Sequence, residues 1–142
     1  KDRAMGDLTT NFSRSEFACR CGCGFDGVDP RLVAWLQDLR DTLGSPIVVN
    51  SGCRCTRHNR AVGGSPTSQH LAGRAADIRA PGVRLAELYR LAELHRQAEA
   101  GGIGVYPDGG FVHLDVRGRR ARWGWLPHVG QVGLREALDR CR

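Results

Sequence analysis

Apolar residues recur at helical spacing early in the chain, where Leu32, Val33, Leu36, Leu39 and Leu43 fall on one stripe. Asp29 before Pro30 supplies an N-cap and a proline at the first helical position, and Gly44 supplies a stop, so a helix is predicted over 30–43. A second stripe, Leu85, Leu88, Leu91 and Leu94, predicts a helix over 83–100 that Gly101 and Gly102 end. Short apolar runs at 46–50 and 75–78 read as strands. Residues 103–106 and 111–117 flank Pro107-Asp108-Gly109-Gly110 and read as a hairpin. Within 111–117, alternation puts Phe111, His113, Asp115 and Arg117 on one face and Val112, Leu114 and Val116 on the other. Residues 11–27 and 51–68 are rich in Gly, Cys, Ser, Asn and Arg and read as loop, with one helical turn near His58; residues 134–140 read as a short terminal helix. The pattern predicts an α+β fold, with a mainly antiparallel sheet packed against two main helices.

The 142 residues fit one domain, and 41% hydrophobic with 25% charged residues is the composition of a soluble globular protein. No apolar run approaches the roughly 20 residues of a membrane span. Lys1-Asp2-Arg3-Ala4-Met5-Gly6 reads as a tag remnant, which leaves 7–142 as a single domain, expected to be a monomer. The net charge of +6 points to an anionic partner, either nucleic acid or a cell envelope. The only arginine cluster, Arg117, Arg119, Arg120 and Arg122, comes without an RNA-binding or helix-turn-helix signature, so no specific nucleic-acid partner is expected.

The densest polar segment, Ser68 to Asp77, sets His70 and Asp77 seven residues apart. On a helix that spacing separates them by about 10 Å, whereas two ligands of one zinc lie about 2.0–2.2 Å from it. A shared metal therefore requires the chain to fold back, and Gly73 permits that turn. His113, on the polar face of its strand, is a third ligand type. Two histidines and one aspartate leave a tetrahedral zinc an open position, as catalysis needs.

Val49-Asn50-Ser51-Gly52-Cys53-Arg54, then Asn59, Val62-Gly63-Gly64, the Ser68-x-His70-x-x-Gly73-x-Ala75-x-Asp77 run and Phe111-Val112-His113-Leu114-Asp115 together resemble the zinc D-Ala-D-Ala carboxypeptidase family over residues 11–125. The resemblance is to its small bacterial and phage members, in a wider group with vancomycin-resistance dipeptidases, phage L-alanyl-D-glutamate endopeptidases and the hedgehog signalling domain. It implies a hedgehog/D-Ala-D-Ala carboxypeptidase-like fold and a metallopeptidase that cuts peptidoglycan stem peptides or cross-links. The enzyme would act at the cell envelope, periplasmic or secreted, or as a phage lysin. It also implies Zn2+ on His70, Asp77 and His113, and a substrate-orienting arginine at Arg54. The sequence departs from the family where many relatives carry a base three residues before the last histidine, here Gly110; the histidine found two residues before it in others is here Phe111. Asp115 and then Asp108 are the candidates for that base, with Asp115 equally suited to orienting a ligand histidine. Gly110 keeps open a non-catalytic zinc-containing module that binds the cell wall.

Of the remaining histidines, His58 and His128 read as exposed and His95 as a packing or surface residue; Trp123 and Trp125 suit either a substrate cleft or the core. Cys19, Cys21, Cys23, Cys53 and Cys55 suit two disulfides, a structural zinc with or without His58, or free thiols. Disulfides are slightly favoured, because alternate cysteines on an extended chain point to opposite sides.

Overall fold

The computed structural model describes residues 6–141. Residues 1–5, most of the stretch read as a tag remnant, lie outside the described residues. Gly6 is tied to the fold by its N–H, which Thr10 accepts at 2.7 Å.

The first helix, α1 (Pro30–Leu43), starts and stops where the pattern predicts. Asp29 accepts from the Arg31 N–H at its N-terminus, and Gly44 closes it in the left-handed conformation at φ 75°. A six-stranded sheet follows in the spatial order β1-β2-β4-β3-β5-β6. Its strands are β1 (Val48–Ser51), β2 (Ala75–Arg79), β3 (Gly102–Tyr106), β4 (Phe111–Asp115), β5 (Ala121–Leu126) and β6 (Gly130–Val132). Four of the neighbouring pairs are antiparallel, but β3 and β5 run parallel, so the fold is α+β with a mixed sheet. The helices α2 (Thr56–Ala61), α3 (Leu85–Ala92) and α4 (Leu134–Arg140) complete the fold.

Two elements depart from the sequence reading. The helix predicted over 83–100 ends at Ala92, and a 3-10 turn, Arg96–Ala100, follows. The Trp35 indole N–H donates to the Ala92 carbonyl at 3.1 Å, and His95 stacks on Trp35 while its Nδ1 accepts from the Gln97 N–H. These contacts start a new turn and leave Leu94, the last member of the apolar stripe, 69% exposed. The second departure is β5, where the sequence shows the end of an arginine cluster and two tryptophans suited to a cleft or the core, but predicts no strand. Its sequence, Ala-Arg-Trp-Gly-Trp-Leu, has no β-branched residue to mark a strand. It is fastened by Arg122, whose guanidinium grips Glu93 beyond α3 at 2.7 Å and reaches the carbonyls of Ala98 and Gly101. Arg117 and Arg120 also pair with acidic side chains of this chain, so the cluster is largely engaged internally.

The register separates the two faces of the sheet. Val49, Ile78, Val112, Val105 and Gly124 align across five strands and belong to the face packed on the helices. A Cβ on Gly124 would lie 2.3 Å from that of Ala137, so its absence admits α4 against β5. One register step away, Asp77, His113, Gly104 and Trp123 align across β2, β4, β3 and β5 on the opposite face.

Candidate metal centre

A β-bulge begins the construction. Val49 pairs with Ile78 and Ser51 with Asp77, so Asn50 is extra and the strand turns out of the ladder before Gly52. The Gly52 carbonyl then meets His70 Nδ1 at 2.6 Å. His70 sits on the 3-10 turn Gln69–Ala72, opened by the Ser68 hydroxyl accepting from its N–H and closed by Gly73 at φ 69°. That left-handed residue reverses the chain into β2. A side chain there would collide with the Gly27 carbonyl, its Cβ only 2.2 Å from the oxygen.

The reversal brings His70 Nε2 to 3.3 Å from Asp77 Oδ1, and cross-strand pairing brings His113 Nδ1 to 3.0 Å from the same oxygen. All three side chains are buried, and their three donor atoms lie within 4.8 Å of one another. Ligands about 2.0–2.2 Å from a tetrahedral zinc are about 3.3–3.6 Å apart, so separations of 3.3 and 3.0 Å need only a small opening to admit one ion. The outer nitrogens are also fixed: Gly52 holds His70 Nδ1, and Asp115 holds His113 Nε2 at 2.7 Å. With N–H directed outward on each ring, the inner nitrogen is the one left to bind a cation in place of a proton.

The electrostatics are strongly coupled. Burial pushes the Asp77 carboxyl upward, but hydrogen bonds from His113 and His70 outweigh it and hold the group well below the usual carboxylate range. Burial lowers the His113 imidazole, but bonds to Asp115 and Asp77 outweigh it and raise it to about 9. A cation arriving at Nδ1 therefore takes the place of a proton.

Arg54 lies beside this cluster with its guanidinium clamped on three sides. Nε donates to the Ser51 hydroxyl, Nη1 to Asn59 Oδ1 at 3.1 Å and Nη2 to Asp77 Oδ2 at 3.2 Å. Asp77 thus gives its outer oxygen to Arg54 and its inner one to the histidines. Asn59 is itself held by the Ser65 carbonyl, and a Cβ on Gly64 would strike both Asn59 and Arg54. Three of the five guanidinium N–H donors are engaged, which leaves two.

The two carboxylates considered as bases are placed differently. Asp115 is 0% exposed and lies on the far side of the His113 ring from Asp77. Its Oδ1 accepts from the N–H groups of Gly102 and Arg117 and from Arg117 Nε; its Oδ2 accepts from His113 and Arg117 Nη2. Every acceptor direction is used, which is the geometry of an orienting group and leaves no lone pair for a proton from water. Burial raises its carboxyl, but bonds from Arg117 and His113 outweigh that and hold it well below the usual range. Asp108 sits on the hairpin turn beyond the Tyr106–Phe111 pair and faces Arg140 at 3.6 Å. His58 is part-buried, His128 is exposed, and His95 pairs with Asp38, so none of the three joins the cluster.

The sequence reading missed the glycines of β3. A Cβ on Gly102 would meet the Asp115–Arg117 pair at 2.6 Å, and one on Gly104 would meet the Trp123 indole at 2.4 Å. Their absence lets Trp123 lie over the sheet beside His113, ring centroids 5.2 Å apart, with its indole N–H on the Tyr106 hydroxyl. Tyr106 stacks between Phe111 and Trp125, and Trp125 is 45% exposed. The available signal was Gly102-Ile103-Gly104 inside a strand, the mark of a close approach from one face.

The Peptidase M15 family model matches residues 10–115. The chain is also similar to the peptidoglycan L,D-endopeptidases MepK of Escherichia coli (strain K12) and Shigella flexneri. Each is 34% identical over 96 residues, 63% of this chain and 51% of the relative. The chain spans about half the length of the curated relatives it matches.

Proposed function

The chain belongs to the peptidase M15 family, and on that footing we propose that it is a zinc-dependent peptidase that hydrolyses peptide bonds in the stem peptides or cross-links of peptidoglycan. The observation that carries the reading is the buried His70–Asp77–His113 cluster, with the outer nitrogen of each histidine already held. The name of the similar L,D-endopeptidases favours an internal bond between an L- and a D-residue over removal of a terminal D-alanine. On this reading the protein works at the cell wall, periplasmic or secreted.

A zinc ion on these ligands supplies a Lewis acid that polarises a carbonyl and activates water at neutral pH. The chain's own groups do the rest. Asp115 keeps the Nε2 proton on His113, so that Nδ1 is the ligating atom. Arg54, braced by Ser51, Asn59 and Asp77, turns its two remaining donors to the oxygen where negative charge builds up in the transition state. Trp123, Tyr106 and Trp125 form a wall beside the centre, against which an extended peptide lies.

One observation favours a second reading, a zinc-containing module that binds the wall without cutting it. Gly110 stands where a base is found in many similar proteins, and the acceptor directions of Asp115 are filled. Incubation with purified sacculi separates the two: new amino groups support the peptidase, and retention without bond cleavage supports the module.

A further inference from the structure

A second group of ligand-type side chains lies outside the histidine cluster. The Sγ atoms of Cys19, Cys21, Cys23 and Cys55 all lie within 4.8 Å of one another. Cys21 Sγ is 3.5 Å from that of Cys19 and 3.6 Å from that of Cys55. Zinc–sulfur bonds of about 2.3 Å set tetrahedral sulfurs about 3.8 Å apart, so these spacings suit one ion.

The argument that alternate cysteines point to opposite sides fails here because the segment is not extended. The Gly22 N–H returns to the Cys19 carbonyl at 3.1 Å, and the Cys19 N–H is accepted by Phe25 at 2.8 Å. Gly22 and Gly24 adopt φ of 83° and 92°, which curls the loop and turns all three thiols inward. The fourth thiol arrives from Cys55, 36 residues on. Cys53 is not part of the group: it is 1% exposed within the core cluster, and its N–H is taken by the Phe17 carbonyl. The two-disulfide scheme that paired both cysteine clusters therefore loses one member. His58 contributes only its backbone N–H, donated to Cys55 Sγ at 3.3 Å, and the Cys55 N–H is donated to Cys19 Sγ at 3.4 Å. Backbone N–H groups aimed at sulfur stabilise thiolates in the way the outer partners of a metal site do.

We propose that Cys19, Cys21, Cys23 and Cys55 bind a structural zinc ion, separate from the histidine centre, that fastens the N-terminal loop to the segment carrying Arg54. Four convergent sulfurs are what a single ion demands, whereas disulfides need only separate pairs at about 2.05 Å. Each thiol gives up its proton to solvent as its sulfur bonds to the metal, and no electron is transferred. No coordination position is left open, so this ion holds structure and takes no part in hydrolysis. Its place next to Arg54 makes it a brace for the arginine that the peptidase reading uses, but its existence does not depend on that reading.

The test is metal analysis of the full chain, purified under reducing conditions with zinc present, together with cobalt(II) substitution. Two zinc ions per chain are expected, falling to one in both Cys21→Ser and His113→Ala. The cobalt form of the unaltered protein should show an intense sulfur-to-cobalt charge-transfer band in the near ultraviolet. That band requires no variant to fold. A zinc content that Cys21→Ser leaves unchanged, a cobalt spectrum without the thiolate band, or disulfides among these four cysteines in protein purified with zinc but without reductant overturns the proposal. An iron content of one per chain, with no second zinc, overturns the assignment of the metal.

Discussion

Asp115 holds Nε2 of His113 at 2.7 Å while itself being wholly enclosed, so the carboxylate acts on the cluster only through the imidazole ring. The bond selects which nitrogen of His113 meets Asp77, and Arg117, with its guanidinium carbon 5.0 Å from the Trp123 ring centroid, holds the carboxylate in turn. A chain of contacts thus runs from the aromatic wall to the cluster of His113, Asp77 and His70.

Replacing Asp115 with Asn keeps the shape and removes the charge. Zinc affinity of the histidine centre should fall about 10–100-fold, as for other carboxylates behind a ligand histidine. Chelator competition measures it. Undiminished affinity with a large loss of kcat alone is the behaviour of a base, and would show that the orienting role is mistaken.

Arg54→Lys removes the fork that reaches Ser51, Asn59 and Asp77 together. A point charge cannot satisfy three separated acceptors. The variant should retain zinc at the histidine centre and lose about 100-fold or more in kcat, the scale of removing one donor to a developing oxyanion. Steady-state kinetics on a stem-peptide substrate, paired with zinc analysis, gives the answer; near-normal kcat would remove Arg54 from the chemistry.

Gly73→Ala should destabilise the fold by about 1–3 kcal/mol, because the residue combines a left-handed backbone with a contact that leaves no room for a methyl group. Denaturant unfolding measures the loss. Since Gly73 closes the turn that carries His70, zinc affinity should fall in the same variant, whereas a purely local strain would leave it unchanged.

Glu93 supplies a pH-dependent clasp between the end of α3 and β5. Hydrogen bonds from Arg122 lower its carboxyl to about 2, below the ordinary value of 4.5. A depressed carboxylate contributes stability that is complete above its unfolded-state value and is lost as pH falls through its folded one, here from 4.5 toward 2. Glu93→Gln should therefore cost about 1 kcal/mol at neutral pH, after allowance for solvent screening of a partly exposed pair. The difference from the unaltered protein should vanish in thermal melts at the acid end of that window. A constant difference at all pH values would mean that packing, not charge, is what Glu93 provides.

The sequence exposed those parts of the molecule governed by short-range pattern. Asp29, Pro30 and Gly44 bound α1 because capping chemistry is local, and the alternation of 111–117 separated His113 from Val112 and Leu114 because strand periodicity is local too. The meeting of His70 with Asp77 was legible through Gly73, whose turn the spacing required. What stayed hidden depends on partners far along the chain. The end of α3 is set by Trp35, some 57 residues away, and β5 by the grip of Arg122 on Glu93. Of the groups that fill the acceptors of Asp115, His113 and Arg117 share its strand face by alternation, but Gly102 reaches it from β3, which no spacing rule conveys. The cysteine loop misled for a different reason: two left-handed glycines curl a segment that alternation treats as straight.

The central claim is tested most directly by digesting purified sacculi with the zinc-loaded protein and identifying the released muropeptides by mass spectrometry. The account predicts new peptide ends in the stem peptides or cross-links, abolished by chelation and by His113→Ala but restored to the chelated protein by zinc. Sacculi that bind the zinc-loaded protein and yield no new ends would contradict it.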